Sequence, residues 1–296
     1  MCCATPSRRT LLLGLLLGLG PVRRAAAAPA YAGPLIDVHS HLPGPEFLPA
    51  LLTAMDRHRL ARVGLLGVGG VQKDDLAWID GAAKRVPDRV LPFAPVPDPM
   101  AADAAPRLDA LLATGRYRGA GEVHVHQASR KIRRAADAPP FLALLDVCAR
   151  RGAPLVFHDE LTPEITAELE RALAHNRGAA VVLAHAGSGD PGALAGLLGR
   201  HENLHLDVSG MHFQRTPALA TEAGPLGAGW KGLLTERADR VLAGIDLWAP
   251  ALYKPAMLDR LMAWTRRVLG ELPPDAAERV AHLNAERLFR LGPTPW

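Results

Sequence analysis

The feature that most constrains the fold is a regular alternation of short apolar segments with longer amphipathic ones from Gly33 onward. Short apolar segments bounded by Gly, Pro and polar residues are typical of buried strands, and the amphipathic segments have helical spacing. The predicted strands cover residues 35–38, 63–66, 90–94, 119–125, 155–157, 181–184, 204–208 and 241–244. Eight strands that alternate with helices over roughly 260 residues predict an α/β protein with the (β/α)₈ TIM barrel fold.

The main alternative architecture is an open, doubly wound parallel sheet. That fold binds dinucleotides through a Gly-x-Gly-x-x-Gly turn after its first strand, and no such turn follows residues 35–38. The predicted helices include 74–85, 105–113, 163–175 and 192–200, with two closing helices at 255–269 and 275–291. The sequence therefore favours one barrel domain over residues 31–296.

The N-terminus has the pattern of an export signal. Arg8 and Arg9 precede an apolar segment that continues to about Val22, and small residues follow from Ala25 to Ala30. This pattern predicts a cleaved signal peptide over residues 1–30, and the arginine pair resembles a twin-arginine signal. An ordinary secretory signal is the alternative. We expect a periplasmic or secreted protein that uses the export machinery, with no stable membrane anchor because the apolar segment is short.

The net charge of the chain without the predicted signal peptide bears on the class of partner. The whole chain carries 34 basic and 30 acidic side chains, and the predicted signal contains four arginines and no acid. The remainder therefore has 30 of each sign. A neutral surface gives no support for nucleic-acid binding, so we expect a small-molecule substrate instead. Nothing in the sequence specifies an oligomeric state.

Titratable side chains follow five of the eight predicted strands. His39 and His41 end the first one, and residues i and i+2 of an extended chain point to the same side, so both imidazoles can face one ion. In a barrel the C-terminal strand ends converge, which brings such side chains together. The other candidates at strand ends are Glu122, His158, His185 and Asp246.

This ordered set resembles the metal-dependent amidohydrolase superfamily, in particular its amidohydrolase-related branch. The shared pattern is His-x-His on strand one, a Glu or modified Lys on strand four, His on strands five and six, and Asp on strand eight. Residues 206–210, 244–246 and 282–289 resemble further family segments. The resemblance covers residues 34–291 and implies a metal site formed by His39, His41, Glu122, His158, His185 and Asp246.

The resemblance also implies the chemistry. A mixed His and carboxylate site suits Zn²⁺, with Mn²⁺ or Fe²⁺ as alternatives. The branch often has Lys where this chain has Glu122, and a carboxylate can bind one ion or bridge two, so the expectation is one or two ions per chain. Asp246 would deprotonate water activated by the metal, and His185 would complete the metal site or hold the developing oxyanion.

The expected activity is that of a hydrolase that cleaves a C–N or C–O bond in an amide, cyclic amide, ester or lactone. One enzymatic alternative is non-oxidative decarboxylation of an aromatic or unsaturated acid, and another is phosphoester hydrolysis of the TatD-like kind. The alternative outside catalysis is a barrel with a decayed site that only binds a ligand.

Substrate contacts are expected from residues at the same face of the barrel. His124 and His126 follow Glu122 on the same side of their strand, although a structural role is open for each. Arg130 lies in the loop after them, where an arginine can recognise an anionic group or remain solvated. His212 and Trp248 follow the seventh and eighth strands and can form a pocket wall or pack beneath a loop.

Overall fold

The computed structural model describes residue 1 and residues 28–68 and 74–294. Nearly all of the predicted export signal, including Arg8 and Arg9, therefore lies outside the described residues. Among the described helices, none combines the length and apolar character needed to cross a bilayer.

Eight parallel strands form a nearly closed barrel, as the alternation in the sequence predicts. Their order in the sheet is β1-β2-β3-β4-β6-β7-β8-β9, and β5 is a short strand antiparallel to β4. The strands are β1 Leu35–Ser40, β2 Leu60–Leu65, β3 Val90–Ala94, β4 Gly119–Gln127, β5 Ile132–Arg133, β6 Leu155–Asp159, β7 Val181–Leu183, β8 Leu204–Asp207 and β9 Val241–Leu242. All eight predicted strands are confirmed, with ends that differ by a few residues.

The last strand and the first are joined beyond β9 itself. The Val38 amide donates to the Ala243 carbonyl at 3.0 Å, and the Asp246 amide donates to the His39 carbonyl at 2.8 Å. The His41 amide then donates to the Leu247 carbonyl at 2.8 Å. These bonds place the segment that carries Asp246 directly beside the segment that carries both histidines.

Helices connect the strands, and several begin with proline. A proline in the first helical turn lacks only an N–H that would have no partner within the helix. The helices are α1 Leu48–Arg57, α2 Asp75–Arg85, α3 Ala104–Ala113, α4 Pro139–Arg151, α5 Pro163–His175, α6 Pro191–Arg200, α7 Ala228–Glu236, α8 Pro255–Leu269, α9 Pro274–Glu278 and α10 Asn284–Leu288. Side chains of Thr162 and Asp190 cap α5 and α6 by accepting bonds from backbone amides of the first turn.

Two apolar clusters fill the molecule. The larger lies between the strands and the surrounding helices, and the smaller fills the barrel interior. Interior residues include Ile36, Val38, Phe93, Val156 and Val182. Successive residues of a strand point to opposite faces of the sheet and so belong to different clusters. Leu35, for example, packs in the larger cluster and Ile36 in the smaller.

The C-terminal helix predicted over 275–291 is interrupted. A π-helical segment, Arg279–Leu283, separates α9 from α10. The Asn284 side-chain amide donates to the carbonyls of Ala238 and Val241 at 2.5 and 2.7 Å, and the Val280 carbonyl accepts from the Ala243 amide. The segment with family resemblance thus closes the barrel next to β9, and its role is structural.

His205 makes the stability of the fold depend on pH. It pairs with Val182 and so shares the barrel interior, where burial together with Arg240 and Arg287 lowers its pKa to about 4. Because the unfolded chain takes up this proton near pH 6.5, stability is lost as pH falls from 6.5 to 4, by up to about 3 kcal/mol. We expect His205→Gln to reduce the dependence of the urea-unfolding free energy on pH over this range, and an unchanged slope would contradict the assignment.

Candidate metal centre

The C-terminal ends of five strands bring the six predicted metal ligands into one buried cluster. Glu122 lies at its centre. Its Oε1 is 2.9 Å from His158 Nδ1, 3.2 Å from His185 Nε2 and 3.6 Å from His39 Nε2. On the other side, His41 Nε2 lies 3.6 Å from Glu122 Oε2 and 3.6 Å from Asp246 Oδ1. All six residues are at most 9 % exposed, so water does not screen the group.

Three of these imidazoles have a fixed tautomer. His39 Nδ1 lies 2.9 Å from Asp207 Oδ2, His41 Nδ1 lies 3.0 Å from the Leu66 carbonyl, and His185 Nδ1 lies 3.0 Å from the Ser209 carbonyl. Because these oxygens only accept, each Nδ1 carries a proton, and Nε2 is the atom that each ring in its neutral form offers to an ion. Metal-binding histidines are held in the same way by acceptors behind the ring.

The Nε2 atoms of His39, His41 and His185 face carboxylate oxygens, an arrangement that needs a proton or a metal ion between them. Among the described residues, the buried His39 Nε2 has no hydrogen-bond partner. Two ligands of one tetrahedral zinc, each 2.0–2.1 Å from the ion, are roughly 3.3 Å apart, close to the distances observed around Glu122. The residues therefore fit a divalent ion, and two overlapping groups suit one: His39 with His41 and Glu122, and His39 with His185 and Asp246.

The electrostatics of the cluster keep Glu122 ionised. Burial by itself raises the pKa of Glu122, but the neighbouring imidazoles of His39, His124 and His158 outweigh it and hold that pKa well below the ordinary value. Burial lowers the pKa of His41 to about 4, so this imidazole is neutral at pH 7. An ionised carboxylate and a neutral imidazole are the forms that bind metal ions.

A second set of polar residues orients the cluster, and sequence reasoning did not assign it. Asp207 holds His39 and also accepts from the backbone amides of His185 and Ser209 at 3.1 and 3.0 Å. Asp37 accepts from the His39 and Ile245 amides at 3.0 and 2.9 Å. Two features of the sequence could have identified these residues. Asp37 lies two residues before His39, and Asp207 lies in the segment 206–210 that resembles the family.

Gly210 is required where the chain passes under the cluster. Its φ is +66°, and an added Cβ would lie 2.8 Å from Asp246 Oδ2 and 3.1 Å from His185 Nδ1. His185 and Asp246 also have left-handed backbone, with φ of 53° and 64°. Such conformations are unfavourable for residues with a side chain and are found preferentially at functional sites.

A cavity of about 270 Å³ opens over the cluster and is lined in part by arginines. Arg215 Nη1 donates to Asp246 Oδ2 at 2.5 Å, and Arg130 Nη1 lies 3.0 Å from His124 Nδ1. Trp248 and His124 also line this cavity. Of the predicted substrate residues, the structure thus brings His124, Arg130 and Trp248 to the cavity, together with Arg215, which the sequence had not singled out.

His126 and His212 lie apart from the cavity lining. The pairing of β4 with β6 is irregular between His124 and His126, and His126 Nδ1 instead lies 3.1 Å from the Glu160 carbonyl. His212 is buried behind the site, where its Nδ1 accepts from the Gln214 amide at 3.3 Å. The alternation expected on β4 therefore extends only to His124.

The sequence matches one protein-family model, described as Amidohydro_2, Amidohydrolase, over residues 36–291. No curated protein matches the chain closely enough to count as a relative.

Solved structures with the same fold include three enzymes or candidate enzymes. A probable 2-pyrone-4,6-dicarboxylic acid hydrolase from Acinetobacter baumannii, with citric acid bound, has 16% identity and a TM-score of 0.62, covering 87% of this chain and 99% of that one. A zinc-bound amidohydrolase from Burkholderia multivorans has 16% identity and a TM-score of 0.62, covering 88% and 100%. A 2,6-dihydroxybenzoate decarboxylase from Rhizobium has 16% identity and a TM-score of 0.57, covering 88% and 99%. At this identity the similarity establishes the fold.

Proposed function

Since the chain belongs to the amidohydrolase family described as Amidohydro_2, we propose that it is a zinc-dependent hydrolase of small molecules. The proposed reaction is cleavage of a C–N or C–O bond in an amide, cyclic amide, ester or lactone. The observation that carries the proposal is the cluster of His39, His41, Glu122, His185 and Asp246 beneath an open cavity, with the Nε2 atoms of the three imidazoles directed at carboxylates. These residues would hold a divalent ion, which when bound would lower the pKa of water to about 7 and polarise a carbonyl.

Asp246 serves as the general base in this proposal. Its Oδ2 is held by Arg215, which leaves Oδ1 facing His41 and the metal cluster. From this position Oδ1 takes a proton from the attacking water and returns it to the leaving nitrogen or oxygen. His185, fixed by Ser209 and Asp207, contributes Nε2 to the same side of the cavity.

We further propose that the substrate carries an anionic group. The Arg130 side chain is exposed and that of Arg215 is 36% exposed. Both line the cavity above the buried metal-binding residues. A guanidinium binds a carboxylate through two parallel hydrogen bonds. The structural neighbour with citric acid bound supports an acidic substrate by analogy of fold.

Replacing Arg215 tests the anionic group. We expect Arg215→Gln to lower kcat/KM by about 10- to 100-fold, because hydrogen bonds to charged groups contribute about 1.5–3 kcal/mol. The loss should be smaller for the corresponding methyl ester, which lacks the negative charge. Arg133→Gln is the matched control, since Arg133 is exposed, pairs with Glu168 and lies outside the cavity lining. Equal losses with both substrates would contradict the role.

Non-oxidative decarboxylation is the second candidate because the arginines would bind the substrate of a decarboxylase equally well, and one structural neighbour is a 2,6-dihydroxybenzoate decarboxylase. The two reactions differ in their products.

The purified protein should be incubated in H₂¹⁸O with carboxylated lactones, N-acyl amino acids and 2,6-dihydroxybenzoate. If the protein is a hydrolase, ¹⁸O should appear in the organic product. Carbon dioxide release without ¹⁸O uptake in the organic product would replace the hydrolase proposal by the decarboxylase. Turnover of none of these compounds by metal-loaded protein would favour a ligand-binding barrel.

We propose that the protein acts outside the cytoplasm, on the basis of its N-terminal sequence. An Arg8→Lys/Arg9→Lys variant should accumulate as precursor in the cytoplasm, because the twin-arginine route reads that pair. Fractionation and immunoblotting of both forms measure this, and unaltered export would assign the ordinary secretory route.

A further inference from the structure

We propose that a groove on the N-terminal face of the barrel binds a small amphipathic anion, with an apolar body and one phosphate, sulfonate or carboxylate group. Three adjoining cavities of about 650, 180 and 250 Å³ form the groove. The first two share Gly115 and Arg118, and the last two share Gly152 and Arg290. This inference goes beyond the proposed hydrolysis and does not depend on it.

The groove lies where the strands begin, on the face opposite the metal cluster. Its lining includes Val90, the first residue of β3, Arg118, which directly precedes β4, and Pro154, which directly precedes β6. Glu122 lies four residues further along β4 than Arg118, a rise of roughly 13 Å in an extended chain. A ligand in the groove is therefore separated from the metal cluster by the barrel interior.

The groove is basic, although the chain without its predicted signal has equal numbers of basic and acidic side chains. The linings of the three cavities contain one acidic side chain, Asp80, and six exposed basic ones. The basic residues are Lys84, Arg116, Arg118, Arg151, Arg287 and Arg290. A positive charge is favourable near the end of any helix, which accounts for Lys84 in α2 and Arg151 in α4. Arg118 and Arg290 lie outside the helices and need another explanation.

Three of the six basic side chains already have partners. Arg116 pairs with Asp80 at 3.3 Å, and Arg151 pairs with Asp109 at 2.5 Å. Arg287 donates to the Asp239 carbonyl at 2.5 Å. Within the described part of the chain, the other three, Lys84, Arg118 and Arg290, pair with no acidic side chain. Two guanidinium groups and one ammonium group are thus available to an anion.

Arg290 is held in position beside the cavity of about 180 Å³. A Cβ added at Gly152 would lie 2.5 Å from Arg290 Nη2 and 3.0 Å from its Cζ, so the guanidinium lies directly against the glycine. Gly152 ends α4 with a left-handed φ of 60°, and the carbonyls at a helix C-terminus carry partial negative charge. Since this contact already restricts the guanidinium, little further freedom is lost when it binds an anion.

The cavity of about 650 Å³ suits the apolar body of the ligand. It lies between α2 and the chain that follows α3, and Ala83, Val90, Leu91 and Pro92 form much of its wall. Sites for small molecules typically occupy about 300–1,000 Å³ and combine an apolar wall with a few charged groups. An inorganic anion would leave this cavity unused, so the geometry favours an amphipathic ligand.

The first test is fluorescence titration of the purified protein with 1-anilinonaphthalene-8-sulfonate, which has an aromatic body and one sulfonate. We expect Arg118→Gln/Arg290→Gln to bind the dye about 10- to 100-fold less tightly than the wild type, because hydrogen bonds to charged groups are lost. Arg85→Gln/Arg150→Gln is the control for net charge. Both control residues are exposed at the ends of α2 and α4, outside the groove lining.

Gly81 offers a second test that leaves every arginine in place. It lies within α2 and lines the larger cavity, and a Cβ added there would meet no atom within 4 Å. Because glycine is a poor helix former, Gly81→Glu and Gly81→Gln should both remain folded. Gly81→Glu should bind the dye less tightly than Gly81→Gln, since the two side chains are similar in size and only glutamate repels an anion.

Competition experiments identify the class of ligand. Decyl phosphate below its critical micelle concentration should displace the dye, and inorganic phosphate at the same concentration should not. Equal displacement by inorganic phosphate, or displacement only by phosphatidylglycerol vesicles, would overturn the assignment to a small amphipathic anion.

The location of the dye separates this proposal from the proposed hydrolase. Unchanged affinity in Arg118→Gln/Arg290→Gln, or equal affinity in the two Gly81 variants, would overturn the groove. A loss of binding confined to Arg130→Gln/Arg215→Gln would place the dye over the metal cluster and overturn it as well. None of these results bears on metal-dependent turnover, which is measured separately.

Discussion

Asp246→Asn is expected to lower kcat by about 10²- to 10⁴-fold while the protein keeps its fold and its bound metal. The amide retains one oxygen, which can accept from Arg215 in place of Oδ2, but it has no basic oxygen to accept a proton from water. Arg215, which holds Oδ2 at 2.5 Å, keeps the side chain in place. The effect should therefore fall on turnover and not on assembly of the site.

Steady-state kinetics, elemental analysis and circular dichroism of the same preparation measure this prediction. Asp259→Asn is the control, because Asp259 lies on α8, pairs with Arg57 and His58, and is remote from the cavity lining. A kcat close to the wild-type value for Asp246→Asn would remove Asp246 from the role of general base.

His41→Ala should have the second large effect, loss of the bound ion together with activity. His41 Nε2 faces both Glu122 and Asp246 at 3.6 Å, so its removal takes one nitrogen from the centre of the cluster. Loss of a hydrogen-bond partner of a metal-binding residue lowers metal affinity by roughly 10- to 100-fold. Loss of the metal-binding residue itself should lower the affinity for zinc by more. Since an ion that binds only the folded state stabilises it by about 4 kcal/mol at 1,000 times its dissociation constant, zinc should raise the Tm of the wild type and not of the variant.

His175→Ala is the control for this loss, because His175 is exposed at the end of α5 and contacts Asp146. Chelation of the wild type should abolish turnover, and added Zn²⁺ should restore it. Full activity in a metal-free preparation would contradict the metal-dependent mechanism, whatever the variants do.

The sequence by itself determined the barrel and the neighbourhood of its site. The alternation of apolar and amphipathic segments fixes the number and order of strands, because each buried strand must be connected to a parallel neighbour through a helix. Parallel strands all end at one face, so His39, Glu122, His158, His185 and Asp246 had to meet once the fold was known. The helical spacing of apolar residues did not identify α1 and α7. It also did not reveal the π-helical segment that interrupts the helix predicted over 275–291.

Only the tertiary structure decided which nitrogen of each histidine faces the cluster and which residues hold it there. Asp207 and Arg215 contact His39 and Asp246 across 168 and 31 residues along the chain, and spacing within one strand carries no information about such partners. The irregular pairing of β4 with β6 likewise sends His126 away from the site while His124 stays. Local sequence specifies which face a strand residue occupies, but the partners that orient His39 and Asp246 come from other strands and loops.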